Sequence, residues 1–339
     1  MKALVYVAPE RMEIQDLPAP EAAEGQVLLR VAATGICGSD VHGFLGHSAR
    51  RKPGLVLGHE AVCIIADKHA AVRDWSVGQR VVVNPLDSCG TCAACMSGRQ
   101  NLCENWSLLG LDRVQGTYAE FVAVPAKQVY ALSDTLADEE AVFAEPLANI
   151  VHFFRTTLSE IPDSLTIFGA GPIGMLALAL ARLRGISQVC VIDRVDQRLE
   201  IARRLNADCV INSAREDAAA AVKKFCPGGT EVVIDAVGVD ATRRAAVASC
   251  RRGGRIVLIG MGDNEGGLPW IDLIRDEKSL LTTFAYTPRD FQTSLALLES
   301  RRLNLSAWSE VRPLEDGQAS FTKMAHNPGG TLKLIFRVG

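Results

Sequence analysis

The sequence has almost no surplus of charge. Thirty-six lysines and arginines stand against 39 aspartates and glutamates, giving a formal net charge of -3, and there is no block of five or more like charges. This excludes the basic footprint of a nucleic-acid-binding protein and the polybasic patch of a membrane-surface protein, and it favours small neutral or mildly polar partners. Long apolar runs are also lacking. The run that follows Met1 is broken by Pro9, Glu10 and Arg11, too early for a secretory signal, so a cytoplasmic location is expected. The most apolar helical stretch, Met175 to Ala181, is bounded by Gly174 and Arg182, far short of a bilayer span, and reads as a helix buried against a sheet. Internal repeats, low-complexity tracts and flexible linkers are absent. With 339 residues, 48% of them hydrophobic and 22% charged, the chain is long enough for two globular domains.

Cysteine, by contrast, is plentiful and clustered. Cys89, Cys92, Cys95 and Cys103 form a CxxCxxCx7C run in which one loop can fold around a tetrahedral metal. Thiolates suit Zn(II), and four of them leave no open coordination position, so this cluster is expected to hold the chain rather than do chemistry. Iron–sulfur ferredoxin runs use a different spacing. Cys63, Cys190, Cys209, Cys226 and Cys250 sit mostly in or beside apolar runs and read as small core residues.

The first part of the chain carries short β-type runs, Val27–Val31, Ala61–Ile65 and Val81–Val83, separated by Gly, Pro and Asp turns. From about residue 150, strands alternate with helices: Leu165–Phe168, Val189–Ile192, Val232–Asp235 and Arg255–Ile259 are each flanked by Ala-, Leu- and Arg-rich helical segments. Such alternation builds a parallel sheet covered on both faces. A helix around Phe291–Ser300 and a closing strand Leu332–Phe336 are expected to complete the first domain. The predicted division is residues 1–148 with 290–339 as a β-rich domain, and 149–289 as an α/β domain.

Gly169-Ala170-Gly171-Pro172-Ile173-Gly174 is a GxGxxG run placed between a strand and a helix. The three glycines serve the tight turn, the close approach of a pyrophosphate and helix–strand packing, and the helix N-terminus offers N–H groups to the anion. Asp193, at the end of the next strand, suits the adenosine ribose hydroxyls and repels a 2′-phosphate, so NAD is favoured over NADP, with the adjacent Arg194 pulling the other way. A second, dispersed constellation joins Cys37, His59, Glu60 and Glu145. Mixed Cys, His and carboxylate donors with an open position describe a catalytic zinc.

Taken together, Gly35-Ile-Cys-Gly-Ser-Asp-Val-His42, Gly58-His-Glu60, the four-cysteine run, Glu145-Pro-Leu-Ala148, the GxGxxG with Asp193, and Gly253-Gly-Arg-Ile-Val-Leu-Ile-Gly260 resemble the zinc-dependent medium-chain dehydrogenases, within them the sorbitol, threonine and polyol dehydrogenase branch. The resemblance spans the whole chain. It implies a GroES-like β-rich catalytic domain beside a Rossmann domain, two zinc ions per chain, one catalytic and one structural, and NAD. It also implies a homodimer or homotetramer acting on a small alcohol or polyol, without nucleic-acid or membrane partners.

By the same resemblance Cys37 and His59 ligate the catalytic zinc, Glu145 stands where alcohol dehydrogenases carry a second cysteine, and Glu60 ligates or lies beside the metal. Ser39 and His42 relay the substrate proton, and Asp40 orients the zinc-bound histidine. Cofactor contacts are implied at Gly169, Gly171, Pro172, Ile173, Gly174, Asp193, Arg194, Arg198, Val237 and Ile259. The implied reaction is hydride transfer from a secondary alcohol, a polyol, sugar or sugar derivative, to NAD, giving a ketone. L-threonine 3-dehydrogenase and sugar-phosphate dehydrogenase are the alternative activities, and a catalytically silent NAD-binding homologue is the non-enzymatic one. Sorbitol dehydrogenases tend to carry Phe-Arg-Tyr at one pocket wall. Phe284-Ala285-Tyr286 stands here instead, which implies fewer grips on distal substrate hydroxyls.

Overall fold

The computed structural model describes residues 1–158, 160–303, 305 and 308–339. They form two compact units, Met1–Ala148 with Tyr286–Gly339, and Asn149–Ala285. Tyr286, rather than residue 290, opens the returning segment. Its hydroxyl bonds Glu145, and the next residue, Thr287, caps the helix Pro288–Glu299 by accepting from Asp290 N.

The first unit is built on a seven-stranded sheet ordered Val129–Ala131, Arg80–Val83, Glu60–Lys68, Gln26–Gly35, Lys333–Arg337, Ser309–Pro313, with Phe121–Pro125 also pairing with Gln26–Gly35. The early part of Gln26–Gly35 alternates strictly, Val27, Leu29 and Val31 facing a core that includes Val81, Val83, Phe321 and Phe336. A smaller sheet of Arg11–Asp16, Lys2–Ala8 and Leu55–Val56 adjoins the same core. Aromatic edges lock it: the Tyr118 ring meets Phe336 and Phe321 nearly perpendicular, at 5.5 and 5.7 Å between centroids.

The second unit is a six-stranded parallel sheet ordered Cys209–Asn212, Gln188–Asp193, Ser164–Phe168, Thr230–Asp235, Cys250–Leu258, Ser279–Thr282. Ser164–Phe168 is buried throughout, as a strand covered on both faces must be. The chain first builds outward on one side of it, then restarts on the other at Thr230–Asp235. That reversal is the feature of a doubly wound dinucleotide-binding sheet, and it opens a crevice at the carboxyl ends of the two central strands. Cys209–Asn212 and Ser279–Thr282 are the two edge strands. Among the described residues no helix is long and apolar enough to cross a membrane.

Candidate active site and metal centres

Cys37 precedes the short helix Gly38–Phe44, which places Ser39 and Asp40 in its first turn. His59 follows Gly58, whose φ of +96° and proximity to Tyr118 require glycine: a Cβ there would lie 2.6 Å from the Tyr118 ring. Glu60 then begins the strand Glu60–Lys68, opposite Gly35. The donor atoms of Cys37, His59 and Glu60 all come within 4.8 Å of one another.

A layer of partners fixes these donors. Tyr118 donates its hydroxyl to Asp40 Oδ2 at 2.7 Å, Arg51 Nη2 donates to Asp40 Oδ1 at 3.0 Å, and His59 Nδ1 lies 3.5 Å from Asp40 Oδ2. With Nδ1 turned to this acid, Nε2 is the ring nitrogen left for a metal. Burial alone would raise Asp40, but His59 and Arg51 hold its carboxyl well below the usual range. His59 is pulled down by burial and, more strongly, up by Asp40 and Cys37. Glu60 accepts from Lys333 Nζ with both oxygens, at 2.7 and 2.6 Å.

Glu145 opens the helix Ala144–Thr157 and accepts from the Tyr286 hydroxyl at 2.9 Å. Its carboxyl is raised by burial and by Glu60, against the opposing pull of His59, Tyr286 and Lys333. The mutual 4.8 Å cluster therefore holds Glu60, and Glu145 stands beside it as a neighbouring acid. Thiolate, imidazole and carboxylate are zinc donors, and Cys37, His59 and Glu60 bring one of each together, so the residues fit the metal.

Ser39 Oγ donates to Cys37 Sγ at 3.4 Å and accepts from Arg51 Nη2 at 3.0 Å. His42 follows one turn later on the same helix, its ring 5.1 Å from His47; burial, His47 and Arg51 all lower its pKa.

The four-cysteine lobe is preformed. Cys89 Sγ is 3.5 Å from Cys103 Sγ and 3.9 Å from Cys95 Sγ, bracketing the edge of about 3.8 Å that a tetrahedral ZnS4 group with Zn–S near 2.3 Å requires. Backbone N–H groups of Cys89 and Asn105 point at Cys103 Sγ, both at 3.3 Å, and that of Cys92 points at Cys89 Sγ at 3.4 Å. Hydrogen bonds from the backbones of Thr91 and Cys92 help bring the Cys89 thiol down to about 6.

In the second unit Gly169 sits at φ +97°, and a Cβ on Gly174 would lie 1.8 Å from Gly169 O, so strand and helix approach too closely for any side chain there. A Cβ on Gly171 would meet nothing within 4 Å: the chain leaves open space there, beside the N-terminus of the helix Pro172–Leu183, which begins with Pro172 and Ile173. That space is where a pyrophosphate needs access. Asp193 accepts from Ala170 N at 2.7 Å through Oδ2, and from Arg194 N and Val195 N at 2.7 and 2.9 Å through Oδ1. It thus braces the glycine turn, and one lone pair of Oδ2 takes part in none of these three bonds. Val237 packs against Gly169, and Ile259 N bonds Asp235 O, so both stand at strand carboxyl ends along the same crevice. Arg194 is exposed, whereas Arg198, on the helix Asp196–Arg204, keeps a buried Nε without a hydrogen-bond partner.

The contacts of four residues at these sites escape sequence reasoning, those of Arg51, Tyr118, Tyr286 and Lys333; of the four, the sequence placed only Tyr286, at a pocket wall and without its bond to Glu145. Arg51 sits in the run Arg50-Arg51-Lys52, which reads as a solvated face. Lys333, between Leu332 and Leu334, breaks an apolar strand, the one local signal among the four.

A doubly wound dinucleotide unit and a β unit carrying a Cys/His/carboxylate cluster and a four-thiolate lobe define a metal-dependent dehydrogenase. Residues 23–134 match the alcohol dehydrogenase GroES-like domain, and residues 172–300 match the zinc-binding dehydrogenase domain. The chain is 35% identical over 266 residues to a sorbitol dehydrogenase of Bacillus subtilis, covering 77% of this chain and 75% of the relative. It is 31% identical over 330 residues to a probable D-xylulose reductase A of Aspergillus terreus, covering 94% and 93%. The solved alcohol dehydrogenase of Thermus sp. ATN1 superposes with a TM-score of 0.92 at 30% identity, covering all of both chains. The chain belongs to the zinc-dependent medium-chain dehydrogenase family and is an NAD-linked alcohol dehydrogenase by class.

Proposed function

We propose that this enzyme oxidises a secondary alcohol that is a polyol, a sugar or a sugar derivative to a ketone. The observation that carries the reading is the Cys37–His59–Glu60 cluster, a donor set with a carboxylate in it, beside the hydroxyl of Ser39. The Bacillus and Aspergillus relatives, named for sorbitol and xylulose, support the same substrate class. When bound, zinc supplies a Lewis acid that lowers the pKa of a substrate hydroxyl, and NAD supplies the hydride acceptor.

The chain's own residues do the rest. Cys37 and His59 are the soft and borderline donors, and a carboxylate, Glu60 or Glu145, is the hard one, suited to a metal that holds two vicinal oxygens. Asp40 fixes the His59 tautomer. Ser39 Oγ takes the substrate proton and releases its own toward His42, whose lowered pKa keeps it a neutral acceptor. The turn Gly169, Gly171, Pro172, Ile173, Gly174 receives the pyrophosphate of NAD, with Asp193 at the ribose and Arg194, Arg198, Val237 and Ile259 lining the same crevice. Ala285, where sorbitol dehydrogenases tend to carry arginine, points to a shorter, cyclic or less oxygenated alcohol than sorbitol.

A panel of vicinal diols, polyols, sugars and simple alcohols, read by NADH absorbance, tests the assignment. A vicinal diol or polyol should give the highest kcat/KM, and ethanol in first place would overturn it.

The reading extends to two zinc ions per chain, the second in the Cys89, Cys92, Cys95, Cys103 lobe, and to a cytoplasmic enzyme, since those thiols need a reducing compartment. A homodimer or homotetramer is part of it as well. The edge strand Ser279–Thr282 and the exposed Trp270, Ile271 and Ile274 of the second unit offer an open strand edge and apolar side chains to a second copy, and light scattering on the purified protein should show an oligomer.

A further inference from the structure

Arg51 is a buried cation, its side chain 6% exposed, in the middle of the proton-handling groups. One nitrogen, Nη2, reaches Ser39 Oγ and Asp40 Oδ1, each at 3.0 Å, while Nε is buried without a partner. The arginine stem lies flat on the helix Gly38–Phe44 at Gly43, where a Cβ would come 2.2 Å from Arg51 Cδ. The helix thus carries a glycine at the place where the arginine crosses it. Asp40 receives Tyr118 and faces His59 on its other oxygen, so the guanidinium joins the acid that orients His59 to the hydroxyl of Ser39.

We propose that Arg51 is a positioning residue for the proton transfer, setting the rotor of the Ser39 hydroxyl. A guanidinium has five N–H donors and no acceptor, so Ser39 can only accept from it. That bond occupies one lone pair and forbids the O–H from pointing at Arg51. The second lone pair stays available to the substrate O–H, and the serine's own proton, which is donated to Cys37 Sγ in this structure, is kept off Arg51 and turns to the next acceptor when the substrate proton arrives. In oxidation one O–H bond forms at Ser39 Oγ as the substrate proton arrives, and one breaks as the serine proton leaves; the serine ends as it began, and Arg51 exchanges nothing. The inference rests on the reading of Ser39 as the proton-transfer group.

The test compares Arg51→Ala, Arg51→Lys, Ser39→Ala and the double variant Ser39→Ala/Arg51→Ala in the metal-loaded enzyme. It measures kcat, both KM values, the solvent isotope effect on kcat, zinc content, and rescue by added guanidinium ion. Arg51→Ala should lower kcat by roughly tenfold or more, the lower part of the range for a proton-transfer contribution. The NAD KM and zinc content should stay unchanged, the solvent isotope effect should rise, and guanidinium should restore part of the rate. Arg51→Lys, which keeps the charge but loses the planar fork, should fall between. In the Ser39→Ala background, removing Arg51 should cost little more, because the two act on one step.

An undiminished additional loss in that background, loss of zinc in both Arg51 variants, or wild-type kcat in Arg51→Lys would each overturn the positioning role while leaving the function of Ser39 intact. Wild-type turnover in Ser39→Ala alone would instead remove the underlying relay, and the role of Arg51 with it.

Discussion

Lys333 Nζ lies 2.7 and 2.6 Å from the two carboxylate oxygens of Glu60, and both side chains are 1% exposed. Their strands are not neighbours. Gln26–Gly35 runs between them, and Gly35 leaves room for the pair: a Cβ there would sit 2.5 Å from Glu60 Oε2 and 3.2 Å from Lys333 Cδ. Burial lowers the lysine pKa, and Glu60, helped by Cys37 and Glu145, more than restores it. Removing one partner of such a pair strands a buried charge at a cost of about 3–5 kcal/mol. Lys333→Met should therefore destabilise the protein by about that much in chemical denaturation, and Glu60→Gln/Lys333→Met should recover a good part of the loss. An unchanged midpoint for Lys333→Met would mean that the pair adds nothing to the fold.

Metal removal should proceed in two stages. Purified protein should hold two zinc ions per chain by elemental analysis. The open Cys37–His59 site should release its ion to a chelator first, with loss of activity, and the four-thiolate lobe later, with loss of structure. Cys103→Ser, at a position 2% exposed, should reduce the count to one. Full activity with one zinc or none contradicts the two-site arrangement.

Asp193→Ala should raise the NAD KM more than it lowers kcat, because the carboxylate both braces Ala170 N and addresses the ribose. Gly174→Ala should abolish NAD binding, since its methyl group would strike Gly169 O. Steady-state kinetics with NAD and NADP reads the first outcome, and isothermal titration with NAD the second. Equal kcat/KM for the two cofactors in the wild type would give Arg194 the deciding weight over the acid.

Ser39→Ala should lower kcat by roughly 10²-fold or more at unchanged NAD KM, the size expected for losing a positioned proton-transfer group. His42→Ala should cost less, because water can replace a distal relay. Steady-state kinetics separates the two, and equal losses would place His42 at the reacting proton itself.

The α/β fold was legible wherever pattern is local. The fully apolar run Leu165–Phe168 and the GxGxxG after it identify a covered parallel strand and its helix, and both are found at Ser164–Phe168 and Pro172–Leu183. Strands with weaker alternation were not legible: Cys209–Asn212 and Ser279–Thr282 are short edge strands whose half-buried residues carry little periodic signal. The donors Cys37, His59 and Glu60 could be recognised because motifs surround each of them. Their partners could not. Lys333 reaches Glu60 from 273 positions away and Tyr286 reaches Glu145 from 141 away, separations that only tertiary pairing brings together. Arg51 was hidden for a different reason, since flanking charges make a buried arginine look like part of a solvated run.

The strand Lys333–Arg337 pairs with Gln26–Gly35, so the sheet of the first unit is closed by residues made only after the whole of Asn149–Ala285. Synthesis at ~5–20 residues per second puts roughly a few seconds between completion of the dinucleotide unit and arrival of Lys333. During that interval the second unit has every strand it needs, while the Ala33–Gly35 end of Gln26–Gly35 still presents a raw edge and Glu60 lacks Lys333. The pace of the ribosome, and not stability alone, therefore sets how long the metal-bearing half of the enzyme stays open to mispairing.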